Sequence, residues 1–154
     1  MKKRLLSLLA AGAAVIGSGL ATATPAVATP PYWQAVSTNS DWDCSDYKAH
    51  RLSLNIKFKT CIVRNSSGGA QAVLVVQNSG TKAALIRGEL NTYNTGGTYQ
   101  GSYTYYCSES TLNAGFTRGC FGQTFPGTSD ISATSSLYMN GYDDLHLSQD
   151  SWHG

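Results

Sequence analysis

Near the C-terminus, three side chains able to do acid–base and nucleophilic chemistry alternate: Asp144, His146 and Ser148. Alternation on an extended strand stands them side by side on one face. A serine nucleophile needs more than this, namely a tight turn that presents its hydroxyl next to oxyanion donors. Leu145 and Leu147 interleave with the three polar residues, so the polar face reads as the solvated one. The other histidines, His50 and His153, have no such neighbours in sequence. Nucleophile elbows, metalloprotease helices, phosphate loops and dinucleotide fingerprints are missing too. The expectation is a protein that is not an enzyme and takes no cofactor.

Asp41, Asp43 and Asp46 gather three carboxylates within six residues, and Asp143–Asp144 adds a pair. Oxygen-rich loops of this kind hold calcium in exported proteins. The spacing lacks the glycine and closing glutamate of an EF-hand, so these three residues are a weak calcium candidate and a polar loop stapled through Cys44 is the simpler reading. The cysteines number four: Cys44, Cys61, Cys107 and Cys120. No Cys-x-x-Cys pair marks a zinc site. An even count in an exported chain points to two disulfides, with three possible pairings. Pairing Cys44 with Cys61 and Cys107 with Cys120 closes two short local loops, each worth about 3 kcal/mol on the chain-entropy model.

Aromatic side chains are the other candidates. Three Trp and nine Tyr stand in a chain with only 13% charged residues, about half the roughly 25% of an ordinary domain. Flat rings stack on the apolar faces of sugars, while Asn, Gln, Ser and Thr bond hydroxyls. Trp33, Trp42, Tyr93, Tyr99 and Trp152 are the candidate ligand-binding residues, with Tyr32, Tyr138 and Tyr142 also at positions an alternating strand need not bury. A strand-rich composition accounts for many such rings without any ligand. The segment Ser108–Gly119 offers a different surface: stapled by its flanking cysteines, it could present Leu112, Phe116 and Arg118 to a hydrolase as a pre-organised inhibitory loop.

The first 28 residues set the compartment. Lys2, Lys3 and Arg4 precede the uncharged apolar stretch 5–20, and Ala26-Val27-Ala28 supplies a small-x-small cleavage pattern, as in a secretory signal peptide. The apolar stretch is shorter than the ~20 residues of a bilayer span. Residues 29–154 are then one domain. Removing the leader takes three of the 11 basic residues and none of the nine acidic ones, which leaves a net charge of −1. Nucleic acid and anionic membranes lose their electrostatic attraction to such a chain.

Elements of period two must position these residues. Leu52, Leu54, Ile56, Phe58 and Ile62 share one face of a strand, with Arg51, Ser53, Asn55, Lys57 and Lys59 on the other. Cys61 falls in the polar register, so either a bulge turns it inward or its disulfide ties the Cys44 segment across the outer face. Ala72–Val76 is apolar on both faces and reads as a central covered strand. Ala83–Thr92, Gln100–Cys107 and Ile131–Met139 alternate in turn, and Ser108–Thr128 reads as loop-rich. Asn140-Gly141 is the strongest hairpin signal, with Tyr142–Gln149 returning. No segment has a helical period. About seven or eight strands in this length make an antiparallel sandwich or barrel.

The runs Ala72-Val73-Leu74-Val75-Val76-Gln77-Asn78-Ser79-Gly80, Ile86-x-Gly88-Glu89-Leu90 and Thr111-Leu112-Asn113-Ala114-Gly115-Phe116 resemble bacterial immunoglobulin-like modules over about residues 72–140. The resemblance implies an all-β, antiparallel immunoglobulin-like β-sandwich. With both cysteine pairs local, the inter-sheet pair and buried Trp of antibody domains are not expected. The chain also resembles small exported proteins of Gram-positive actinobacteria. The functional expectation is a secreted, monomeric, non-catalytic binding protein whose partner is an extracellular glycan or cell wall. The alternatives are an inhibitor of an extracellular hydrolase and a structural cell-surface protein.

Overall fold

The computed structural model describes residues 33–40, 42–96, 100–126, 130–142 and 148–153, the last six by their backbone. The predicted leader 1–28 lies outside them. Among the described residues there are ten strands and no helix: β1 (Trp33–Ala35), β2 (Trp42–Cys44), β3 (Lys48–His50), β4 (Ser53–Arg64), β5 (Ala70–Asn78), β6 (Ala84–Asn94), β7 (Gly101–Leu112), β8 (Thr117–Phe125), β9 (Asp130–Met139) and β10 (Ser148–His153). They form two antiparallel sheets. The first runs β1-β8-β5-β4-β2, with β3 also on β4, and the second runs β10-β9-β6-β7. The count exceeds the predicted seven or eight, partly because three-residue segments (β1, β2 and β3), too short for periodicity to reveal, pair along the edges of the first sheet.

Alternation builds the space between the sheets. Ile56, Phe58 and Ile62 of β4 point inward with Leu74 and Val76 of β5, against Ile86 and Leu90 of β6 and Leu137 of β9. At one end Phe125 packs on Tyr103 with ring centroids 4.9 Å apart. A hydroxyl pair crosses this interior, with Thr60 Oγ1 and Ser135 Oγ sharing one hydrogen bond at 2.7 Å. Leu52 and Leu54, expected on the buried face, are 46% and 81% exposed. Their parity matches that of Ile56, but β4 pairs with β5 only from Ile56 onward, so both lie beyond the stretch that its neighbour in the sheet flanks.

Strand β5 lies between β4 and β8, and all of Ala72–Val76 is buried, as predicted for a central strand. Its outward residues Val73 and Val75 are covered by the N-terminal segment. That segment starts at one edge of the sheet, where β1 pairs with β8, and ends at the other, where β2 and β3 pair with β4. It therefore straps the outer face. The two disulfides have the predicted partners, Cys44–Cys61 and Cys107–Cys120. The register of β4 on β5 is unbroken through Cys61, so no bulge turns it inward. Instead Cys44 lies directly opposite Cys61 and fastens the strap.

Two expectations need correction. Ser108–Thr128 is mostly strand, because β7 continues to Leu112 and β8 begins at Thr117. Consequently Cys107–Cys120, local in sequence, joins the two sheets, with β7 in one and β8 in the other. Trp33, on the edge strand β1, sits in the same core cluster, opposite Cys120 in register, so an inter-sheet disulfide lies beside a buried Trp. At the last hairpin Asn140 and Gly141 adopt φ of 50° and 77°, the left-handed pair that a two-residue turn requires. Tyr142 bridges Met139, and the next described pair is Ser148 with Ser135. The described part of the return is therefore β10, Ser148–His153, and residues 143–147, with Leu145 and Leu147, lie outside the described residues.

A buried side chain also meets the backbone of β9 beyond Ser135. The Leu52 N–H donates to His50 Nδ1, which leaves the proton on Nε2 to donate to the Leu137 carbonyl at 3.2 Å. At the same end of the sandwich, buried Asn78 joins two crossovers. Its Nδ2 donates to the Lys82 and Leu112 carbonyls at 2.9 and 3.1 Å, its Oδ1 accepts the Gly80 N–H, and its backbone pairs with Gly115 and Phe116. Asn78→Ala strands two carbonyls and one N–H, and a cost of about 2–3 kcal/mol is expected. A urea titration reads it as a lower midpoint at unchanged slope.

Candidate functional site

The outer face of the four-stranded sheet is where strand alternation leaves polar and aromatic residues. Inward positions of β6 hold Ala84, Ile86, Gly88 and Leu90, and the outward ones hold Leu85, Arg87, Glu89, Asn91 and Tyr93. The register builds rows across the sheet: Tyr106–Glu89–Ser136, Thr104–Asn91–Thr134 and Ser102–Tyr93–Ser132. Thr104 Oγ1 donates to Asn91 Oδ1 at 2.6 Å, and Asn91 Nδ2 donates to Glu89 Oε1 at 2.9 Å. These bonds fix which way the Asn91 amide points and link three side chains on two strands into one ladder.

Tyrosines flank the ladder. Tyr93 and Tyr106 are 45% and 67% exposed. They are offset by one strand and by four residues along it, about 13 Å at the rise of an antiparallel strand. On the other side, the Arg87 guanidinium lies 4.3 Å from the centre of the Tyr138 ring, a cation–π contact that holds that ring in place. Next to it Leu85, Arg87, Glu109, Tyr138 and Gly141 line a shallow cleft of about 200 Å³. The Asn140 turn supports this corner, because Asn140 Oδ1 accepts the Leu85 N–H and the Asn140 N–H donates to the Leu85 carbonyl.

The opposite sheet carries a different surface. Its strap packs Val36 and Trp42 on Val73, Val75 and Cys61. A methyl group at Gly119 would sit 2.7 Å from Val36 Cγ1, so the strap lies this close only because residue 119 has no side chain. Lys59 reaches the strap by donating to Thr38 Oγ1 and lies 4.6 Å from the centre of the Tyr47 ring. Burial lowers the Lys59 ammonium below the ordinary lysine value and raises the Tyr47 phenol above the tyrosine value. Beyond the strap, Trp42 meets Phe121 edge to face at 6.1 Å.

The predicted site residues therefore separate. Trp33 is 9% exposed, and its Nε1 donates to the Ser108 carbonyl at 2.8 Å. It links β1 to β7 inside the core. Trp42 is half-buried and Tyr93 is exposed, on opposite sheets. Trp152 pairs with Ile131 in the backbone register, and its side chain, like Tyr99, lies outside the described residues. In the predicted inhibitory segment Leu112 is fully buried and Arg118 Nη1 donates to Ser110 Oγ, while Phe116, 51% exposed, projects from the four-residue turn between β7 and β8. Asp43 sits on β2 and Asp46 in the exposed segment after it. Asp41 lies outside the described residues, as do Asp143, Asp144, His146 and the Ser148 side chain.

Sequence reasoning did not single out Tyr106, Glu89, Asn91 or Thr104. Parity alone puts Tyr106 opposite Tyr105 on β7, and this was the available signal. Which parity faced out depended on Cys107 being inside. No protein-family model matches the chain, and no curated protein is similar to it.

Two outcomes separate the structural aromatics from the exposed ones. Trp33→Phe keeps most of the packing but strands the Ser108 carbonyl, so a loss of about 1 kcal/mol is expected in thermal unfolding. Tyr105 packs against the core with its hydroxyl on Gln123 Oε1, and burial raises its phenol above the usual 10.0, against a smaller lowering by the hydrogen bond with Gln123. The folded state then holds this proton more tightly than the unfolded chain. Its stabilisation is complete below pH 10 and is lost as pH rises through the raised folded value. Tyr105→Phe should flatten that alkaline decline in urea midpoints measured from neutral pH upward.

Proposed function

We propose that this chain is a secreted, non-catalytic binding protein that takes a neutral glycan on the outer face of its four-stranded sheet. The observation that carries this reading is the hydrogen-bonded ladder Thr104–Asn91–Glu89 flanked by exposed Tyr93 and Tyr106. Tyrosine rings stack on the apolar faces of pyranoses. The ladder meets the hydroxyls with donors and acceptors already oriented, which lowers the ordering cost of binding. Two disulfides fit an oxidising compartment and therefore export through the leader 1–28. The resemblance to bacterial immunoglobulin-like modules over about residues 72–140 supports the finer description of the sandwich. With a net charge of −1 after leader removal, the partner is an uncharged polymer, bound by a monomer, rather than nucleic acid or an anionic membrane.

The test is a depletion assay on insoluble chitin, cellulose and peptidoglycan. Saturable binding to at least one is expected, and Tyr106→Ala should weaken it about tenfold, the equivalent of one stacked ring. Failure on all three polymers, or a Tyr106→Ala protein that binds as well as the original, overturns the proposal.

A further inference from the structure

The strapped sheet carries a cleft of its own, remote from the ladder. Where the strap ends at β2, Trp42, Val63 and Phe121 form an apolar corner, and Arg64, Asn65, Gln71 and Thr124 stand around it. The volume is about 230 Å³, below the roughly 300–1,000 Å³ of sites for drug-sized ligands. That is the scale of a single saturated ring. The two aromatic rings cross at 77°, so the corner offers a flat wall and an edge rather than a slot between parallel rings. That geometry accepts one face of a saturated ring and leaves its rim free.

The rim meets groups already held in place. Asn65 Oδ1 accepts from the Ser67 and Gly69 N–H groups at 3.0 and 2.8 Å, and this leaves the amide N–H₂ as the donor. Gln71 Nε2 donates to the Gly122 carbonyl at 2.7 Å, and this leaves Oε1 as the acceptor. The Thr124 hydroxyl adds a group that can do either. An apolar wall with an oriented donor, an oriented acceptor and a hydroxyl is complementary to a ring that is apolar on its face and hydroxylated at its rim.

We infer that the Trp42–Phe121 cleft is a second binding site, specific for a single neutral pyranose unit such as a free sugar or the end of a chain. It does not depend on the sheet-face reading, since the two sites share no residue and lie on opposite sheets. A ligand of about a dozen heavy atoms binds with a Kd on the order of millimolar at ordinary ligand efficiency.

The experiment titrates the uniformly ¹⁵N-labelled protein with glucose, galactose and N-acetylglucosamine. Expected is a saturable shift of the Trp42 indole N–H and of the Gln71 and Phe121 amides with at least one sugar. The Trp33 indole, bonded to Ser108, should stay in place. Trp42→Ala should lower the affinity at least tenfold, whereas Tyr106→Ala should leave these shifts intact. No movement at Trp42 with any of the three sugars overturns the inference, as do equal shifts at Trp33 and Trp42. Shifts confined to Glu89, Asn91 and Tyr106 also overturn it and leave the sheet-face reading standing, whereas polymer binding lost with Trp42 shifts retained does the reverse.

Discussion

Strand β5 is apolar on both faces, and water must be kept from each. The second sheet covers Leu74 and Val76, but on the other face the central strands β4, β5 and β8 set only Cys61, Val63 and Phe121 beside Val73 and Val75. The N-terminal strap supplies that second cover, and several features follow from its being needed. It must cross the whole sheet, so it pairs at both edges, with β8 at its start and β4 at its end. Its strands are only three residues long, and it is fastened at the far side by Cys44–Cys61. It must lie close, so the strand beneath it carries Gly119 where Val36 passes. Uncovered, so apolar a strand face would be open to association with other chains.

The second disulfide solves a separate problem. Two sheets held only by side-chain packing can slide, and β7 and β8 are joined by a four-residue turn at one end alone. Cys107–Cys120 ties them inside the core, with the Trp33 indole reaching across to β7 beside it. Asn78 does the corresponding work at the turn end with hydrogen bonds, holding the β5–β6 and β7–β8 connections to one another. One end of the sandwich is therefore rigid through a single asparagine and the middle through a sulfur bridge. Both leave the outer face of the four-stranded sheet uninvolved in holding the fold.

Much of this was legible in the sequence, for identifiable reasons. A period of two survives wherever one face is buried, which is why β4, β6 and β9 can be read from Phe58, Ile86 and Leu137. Apolarity on both faces placed β5 at the centre, and local spacing gave both cysteine pairs. What failed was anything that depended on where pairing stops and on which sheet a strand joins. Leu54 has the right parity but lies beyond the stretch of β4 that pairs with β5. Cys107 and Cys120 are thirteen residues apart, and separation along a chain says nothing about which sheet each strand joins. The aromatics failed for the same reason. Trp33 stands in an edge strand only three residues long, and no periodicity can assign a face over that length.

That failure explains why the exposed site consists of tyrosines. A tryptophan ring has the larger apolar area to bury, and Trp33 does so with its one polar atom on a carbonyl. Tyrosine can lie flat on a sheet with its hydroxyl in water, and β7 uses both modes in adjacent residues. Tyr105 faces inward on the core and Tyr106 outward on the ladder, one residue apart and on opposite faces by the pleat alone. The Gln100–Cys107 segment therefore serves the fold and the surface at once. A shift of register by one residue would exchange those roles, placing Tyr106 in the core and the Tyr105 ring in solvent. The Cys107–Cys120 bridge forbids that shift, because a slipped β7 would carry Cys107 to the outer face and out of reach of its partner. The same covalent bond that joins the sheets thus determines which tyrosines face outward, and the exposed surface depends on it although no atom of the bridge lies on that surface.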